Sequence, residues 1–183
     1  MVKRTERNFQ GVKVLGSCKS GGKGDKRASI SYTEDELKQS ILNYAKSDFT
    51  KIRNDQMNGI YNRDADILED YISKKSDDRT LYRGVKLDYA DMVSVGDTIN
   101  QQGISSWTTS TVISESFATT MARDGLSVVF VLEGGTKQGA DISQLKGTGR
   151  RRETETLISK KSKQKVKSID FINNIFYIKL KEI

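Results

Sequence analysis

Asp77-Asp78-Arg79-Thr80-Leu81-Tyr82-Arg83-Gly84-Val85 is the stretch at which this chain changes period. Before it, apolar residues recur at the three-to-four spacing of amphipathic helices, and from Thr80 onward the short apolar runs read as strands. Upstream, Thr33-Glu34-Asp35-Glu36 carries the hydroxyl and carboxylate offset of a capping box. Leu37, Ile41, Leu42 and Ala45 follow in one helix, Phe49, Ile52 and Met57 in a second, and Ile67, Leu68, Tyr71 and Ile72 in a third. Downstream of Leu81–Val85, strands are expected at Gly103–Ser110, Ser127–Leu132, Thr154–Ser159, Val166–Ile172 and Ile175–Leu180, with a short helix over Ser114–Met121. Three helices before any strand, then a mainly β half, predict an α+β fold with mainly antiparallel sheets and exclude a doubly wound one.

Composition bounds the chemistry. The 183 residues suit one domain with a real core; 35% are hydrophobic and 30% charged, ordinary for a water-soluble protein. No apolar run is long enough to span a membrane and none near the N-terminus resembles a secretory signal, so the expectation is a cytoplasmic protein, with export lacking a cleaved signal left open. Cys18 is alone, which forbids an internal disulfide, and there is no histidine. Zinc–thiolate sites and histidine bases are therefore set aside, and catalysis has to run on carboxylates, hydroxyls, lysines and arginines without a metal.

Charge is concentrated at one end. Residues 1–30 hold eight Lys or Arg against Glu6 and Asp25, nearly the whole net charge of +7. With Gly16-Ser17 and Ser20-Gly21-Gly22-Lys23-Gly24, this reads as a flexible basic arm ahead of a single catalytic domain over 31–183. The arm suits contact with nucleic acid or an acidic protein, or simple solubility. Arg150-Arg151-Arg152 has the same two readings. Lys160-Lys161-Ser162-Lys163-Gln164-Lys165-Val166-Lys167 reads as a solvated turn whose lysines also discourage edge pairing.

Three polar constellations sit on the β half. Arg83 stands inside an apolar strand, where a long cation needs solvent, a carboxylate or a phosphate, and the adjacent Gly84 admits close approach of a ligand to the backbone. Ser105-Ser106-Trp107-Thr108-Thr109-Ser110-Thr111 is a hydroxyl-rich strand end, suited either to holding a carboxylate or to capping the next helix. Glu153-Thr154-Glu155 opens an apolar strand, and alternation points both glutamates into one space. Such a pair serves glycosidic chemistry, one carboxylate steadying a developing sugar cation and the other orienting the nucleophile; the alternative is a solvated strand face.

In their order, the Arg83 strand, the Thr108-Thr109-Ser110 strand followed by a helix, and the Glu153-x-Glu155 strand resemble the Arg, Ser-Thr-Ser, Glu-x-Glu signature of the mono-ADP-ribosyltransferase exotoxins, a family found in bacterial toxins and in bacteriophage enzymes that modify host proteins. Tyr44, Phe49, Ile52 and Asn54 resemble its helical lead-in, Gly134–Ser143 its segment before the catalytic loop, and Glu155-Thr156-Leu157-Ile158 its Glu-Val-Leu-Leu. The resemblance implies two packed sheets around an NAD cleft, with NAD as substrate and a host protein with an exposed arginine as acceptor. It assigns Glu155 to the ribose, Glu153 to the acceptor guanidinium, Arg83 to the NAD phosphates, Thr108 to orienting Glu155, and Ser110 to the nicotinamide side. Further NAD contacts are expected from Gly84, Thr109, Arg123, and one of Trp107 and Phe117 by stacking. Threonine replaces the signature's first serine at Thr108, and residues 144–152 occupy the family's substrate-recognition loop without an aromatic residue. The other readings are an NAD glycohydrolase, with water as acceptor, and a basic nucleic-acid-binding module on the same fold. A monomer is the default.

Overall fold

The computed structural model describes residues 8–9, 12–15, 30–120, 124–145 and 154–183. Helices α1 (Glu34–Asn43), α2 (Phe49–Met57) and α3 (Arg63–Ile72) form a layer, with a π-helical turn at Tyr44–Asp48 joining the first two. The capping box forms as its sequence demands: Thr33 Oγ1 accepts from Glu36 N at 3.2 Å, and Glu36 Oε2 accepts from Thr33 N at 2.8 Å. Asp64 ties α3 to α1 by accepting from Ser40 Oγ and Asn43 Nδ2 at 2.7 and 2.9 Å. The buried faces of the helices, Ile41, Tyr44, Ile52, Leu68 and Ile72, pack on Ile104, Ala140, Ile142 and Leu157.

The β half forms two sheets. Strands β1 (Asn8–Phe9), β2 (Val12–Leu15), β3 (Leu81–Leu87), β4 (Thr98–Gln101), β6 (Leu126–Leu132), β9 (Lys163–Ile172) and β10 (Ile175–Glu182) lie in the order β1-β2-β4-β9-β10-β6-β3. Within this sheet β10 and β6 are parallel and every other pair is antiparallel. The smaller sheet is β5 (Ser105–Trp107), β8 (Thr156–Ile158) and β7 (Gly139–Asp141), all antiparallel. A core of Leu81, Val85, Phe130, Ile178 and Leu180 from the large sheet and Trp107 and Ile158 from the small one lies between them. On the outer face of the large sheet, helix α4 (Thr111–Thr120) packs against β3 and β6.

The helices-first α+β order holds for residues 30 onward, but it is not strictly helices before strands. Asn8–Phe9 and Val12–Leu15, placed by composition in a flexible arm, are strands here, and β2 pairs with β4 from Val12 opposite Gln101 to Leu15 opposite Thr98. The single strand expected over Gly103–Ser110 is shorter, ending in an isolated bridge, and β4 and β7 had no clear apolar run to announce them. The lysine-rich start of β9 is not an edge: it is bonded to β4 on one side and β10 on the other. Among the described residues no helix is long and apolar enough to cross a membrane.

Candidate functional site

The two sheets meet where Tyr82 and Thr108 form a backbone bridge, Tyr82 N donating to Thr108 O at 2.7 Å and Thr108 N to Tyr82 O at 2.9 Å. This weld places Arg83, the next residue of β3, beside the end of β5. Alternation turns Arg83 the same way as Leu81, Val85 and Leu87, toward the space between the sheets and away from α4. The residue keeps some exposed surface, but its Nη1 is sealed from solvent and has no hydrogen-bond partner. Desolvation, and then the charge of Arg53, push its pKa down to about 9, with Tyr44 opposing them. Even so the guanidinium is charged at neutral pH. A buried cation without an anion is costly unless a ligand supplies one.

Arg53 reaches this place from α2. Its Nη1 donates to Ile104 O at 2.6 Å, Tyr44 OH donates to the same carbonyl at 3.1 Å, and Ile104 N donates to Gln56 Oε1 at 2.9 Å. Three side chains from the helical layer thus clamp one residue, Ile104, immediately before β5. A Cβ at Gly103 would meet Gln56 Oε1 at 3.2 Å and Arg53 Cα at 3.4 Å, so glycine there gives the clamp room to close.

Glu155 enters from the start of β8. Its carboxylate Oε1 accepts from Ser106 Oγ at 2.7 Å, and Tyr44 OH lies 3.4 Å from the same serine oxygen. Its backbone is held on both sides, Glu155 N donating to Ser143 Oγ and Ile142 N donating to Glu155 O, each at 2.9 Å. Behind β8, Thr156 Oγ1 donates to buried Asp77 at 2.7 Å. Asp77 also accepts from Arg79 Nε and Nη2 at 2.8 and 2.6 Å, while Arg79 Nη2 reaches Asp141 at 2.7 Å. Burial pushes Asp77 up, but the bonds from Arg79 and Thr156 outweigh it and hold the carboxyl below its usual range. Glu155 is therefore a positioned carboxylate on a strand anchored from both faces.

The expected hydroxyl triad is present, but its bonds differ from the expectation. Thr108 Oγ1 lies 3.3 Å from Thr154 Oγ1 and accepts from Ser110 N at 3.1 Å, while Thr109 Oγ1 meets Thr154 Oγ1 at 2.6 Å. Thr108 and Thr109 thus grip the middle residue of the Glu-x-Glu run, and the serine two residues upstream, Ser106, holds Glu155. Ser110 caps α4, its Oγ accepting from Ile113 N at 3.3 Å.

Trp107 is 2% exposed in the core between the sheets, its Nε1 donating to Ser105 Oγ, so it is not available to stack on a ligand. Phe117, on α4, is 53% exposed. Gly84 does not open the backbone to a ligand. A Cβ there would lie 1.8 Å from Ser114 O, so this glycine lets α4 approach β3. Glu153, Arg123 and Arg150-Arg151-Arg152 lie outside the described residues. Among the described residues no group of three or more His, Cys, Asp or Glu is placed to hold a metal ion.

The site therefore assembles Arg83, Arg53, Tyr44, Ser106 and Glu155. Ser106 had a faint signal in sequence, since it shares a strand face with Thr108. Arg53, Gln56, Ser143 and the Asp77–Arg79 pair had none, because each acts on a partner at least 12 residues away. Chemically, the arrangement offers two adjacent guanidiniums for an anion and one rigid carboxylate for a developing positive charge.

No protein-family model matches this sequence, and no curated protein matches it. Solved structures do. Vis, an ADP-ribosyltransferase toxin from Vibrio splendidus, superposes with a TM-score of 0.65 at 17% identity, over 82% of this chain and 74% of that one. Exoenzyme S from Pseudomonas aeruginosa, solved with human 14-3-3 protein beta and bound to carba-NAD, superposes at 0.61 with 14% identity, over 81% and 74%. The enzymatic component C2-I of the Clostridium botulinum C2 toxin superposes at 0.60 with 18% identity, over 85% of this chain and 44% of that one. At these identities the likeness establishes the architecture: this chain has the fold of the ADP-ribosyltransferase toxins.

Proposed function

We propose, from that shared fold and from the partnerless guanidinium of Arg83, that this chain is an NAD-dependent mono-ADP-ribosyltransferase acting on arginine of a macromolecular acceptor. The observation that carries the reading is Arg83 Nη1, sealed, charged and unbonded, next to a second arginine. A diphosphate suits both cations, since guanidinium–phosphate hydrogen bonds are short and charge-assisted. NAD supplies an ADP-ribosyl group whose bond to nicotinamide breaks with positive charge growing on the ribose.

Each protein group then has a task. Arg83 and Arg53 bind the diphosphate and orient the ribose. Glu155 meets the growing charge, and because Ser106, Ser143 and Ile142 already hold it, little reorganisation is needed during the reaction. Ser106, through its bond to Oε1, aims the carboxylate. Glu153, assigned by its place two residues before Glu155, takes the acceptor guanidinium and its proton. Phe117 is the aromatic residue left for the nicotinamide side, and the acceptor's identity is set outside these residues.

The test is incubation of the purified chain with labelled NAD and a bacterial lysate, beside Glu155→Ala, followed by mass spectrometry of labelled proteins. Label on arginine that vanishes in the variant is the expected result. Nicotinamide release without protein label would move the assignment to a glycohydrolase, and no NAD turnover with either protein would overturn it.

A further inference from the structure

One charged surface is untouched by this chemistry. On β9 the exposed residues Lys163, Lys165 and Lys167 alternate with buried Gln164 and Val166. On β10, Lys179 and Lys181 continue the face that Ile175 and Tyr177 begin, opposite to inward-facing Ile178 and Leu180. Lys165 stands directly across from Lys181, and the register shift beside Lys179 brings Lys167 to the same side. Five lysines thus share the outer face of the large sheet, interspersed with Thr98, Asn100 and Ser168. Helix α4 covers β3 and β6 on this face, and no described element covers the lysines.

Two ordinary explanations do not suit this array. Lys163, Lys165, Lys179 and Lys181 do not guard an edge, because β4 pairs β9 over 163–165 and β10 lies between β9 and β6. Nor are they balanced: Lys179 has Asp170 at 3.6 Å, whereas Lys163, Lys165, Lys167 and Lys181 have no acidic partner among the described residues. Like charges directly opposite on a sheet are destabilising, so the Lys165–Lys181 pair costs stability in the free protein.

We propose that this face docks the phosphate backbone of duplex nucleic acid. Alternate residues on a strand are roughly 7 Å apart, so the three β9 lysines place charge at regular intervals along roughly 14 Å of a rigid surface. Lysine, threonine and serine side chains commonly contact phosphate oxygens, whereas the amide of Asn100 is already spent on Lys160 O and Ser162 O. Two tyrosines lie on the sheet itself here, and neither is free to stack on a single strand: Tyr177 donates to Glu115 at 2.7 Å, and Tyr82 packs with Ala118, Val129 and Val131. An anionic membrane is disfavoured: of the two large apolar side chains exposed at the end of β9, Phe171 pairs with Phe176 on the opposite, inner face, and only Ile172, across from Ile175, shares the lysine face. Arg83 also points to that inner side, so a duplex here leaves the NAD site open, and the proposal stands or falls independently of the transferase reading.

The experiment is fluorescence anisotropy of the full chain with a labelled duplex of about twenty base pairs, between roughly 50 and 200 mM salt. In the Lys163→Gln/Lys165→Gln/Lys181→Gln variant the slope of log affinity against log salt should fall by about 2.7, making the variant about 40-fold less salt-sensitive over that range. Lys181→Glu alone should weaken binding without lowering the Tm, since it turns a repulsive cross-strand pair into an attractive one. An unchanged slope in the triple variant overturns the proposal. So does binding to phosphatidylserine vesicles that these substitutions abolish while duplex affinity stays the same.

Discussion

Arg83→Met should stabilise the free protein while weakening its binding of NAD. The guanidinium carries its charge at neutral pH in a place where desolvation, and then the charge of Arg53, lower its pKa to about 9, a disfavour toward the charged form of roughly a few kcal/mol. Methionine fills similar volume without a charge or an orphaned Nη1. Allowing for relaxation of the buried charge, a net gain of about 2 kcal/mol is expected, or about 4–8 °C in Tm for a chain of this size. Folding lowers this pKa, so the penalty is fully present at neutral pH, where folded and unfolded chains are both protonated. As pH rises through about 9, the folded chain releases a proton that the unfolded chain still holds. Wild-type stability should then rise relative to the variant, narrowing the gap. The assay is thermal unfolding of both proteins at neutral pH and near pH 10, with and without NAD. At one NAD concentration wild type should be stabilised more than Arg83→Met, the loss of charged hydrogen bonds reducing affinity by roughly 10- to 150-fold. A variant less stable than wild type in the free state, or one still stabilised equally by NAD, would refute the reasoning.

Three further outcomes are expected. Glu155→Ala should reduce nicotinamide release by at least about 100-fold, and Ser106→Ala by roughly 10-fold in kcat with KM for NAD little changed, whereas Thr108→Ala should chiefly lower Tm, because Ser106 and not Thr108 holds the carboxylate; steady-state kinetics of the three variants decides it. Gly84→Ala should destabilise by more than about 2 kcal/mol in chemical denaturation, since a Cβ placed 1.8 Å from Ser114 O must displace α4. Phe117→Ala should raise KM for NAD while leaving Tm within about 2 °C, and Trp107→Phe should lower Tm with KM unchanged, because the first is exposed and the second is core.

Much of the fold was legible where local rules operate. The capping box at Thr33 and Glu36, the helical spacing of Ile41, Leu68 and Ile72, and the apolar runs that became β3, β6 and β10 each declare their element over a few residues. Short strands were less legible: Thr98–Gln101 and Gly139–Asp141 carry too few apolar residues for a period to show, and they form because long-range partners complete their ladders. In the site, Arg83 and Glu155 stood out as charged residues on or beside apolar strands. The serine that binds Glu155 did not, because Ser106, Thr108, Thr109 and Ser110 are chemically alike and nothing local says which faces a strand 49 residues away.

By itself the sequence determined the chemical inventory and the element types: no histidine, one cysteine, and carboxylates, hydroxyls and arginines in a fixed order along helices and then strands. Those follow from residue identity and from periods of 3.6 and 2, which need no distant partner. Tertiary structure alone decided that Arg53 stands beside Arg83, that Trp107 is core while Phe117 is exposed, that Gly84 serves a helix and not a ligand, and that lysines from two strands merge into one face. Each of these depends on strand register or on which helix packs over which strand. Those choices are made by the combined burial of the whole chain, so no window of a few residues contains them.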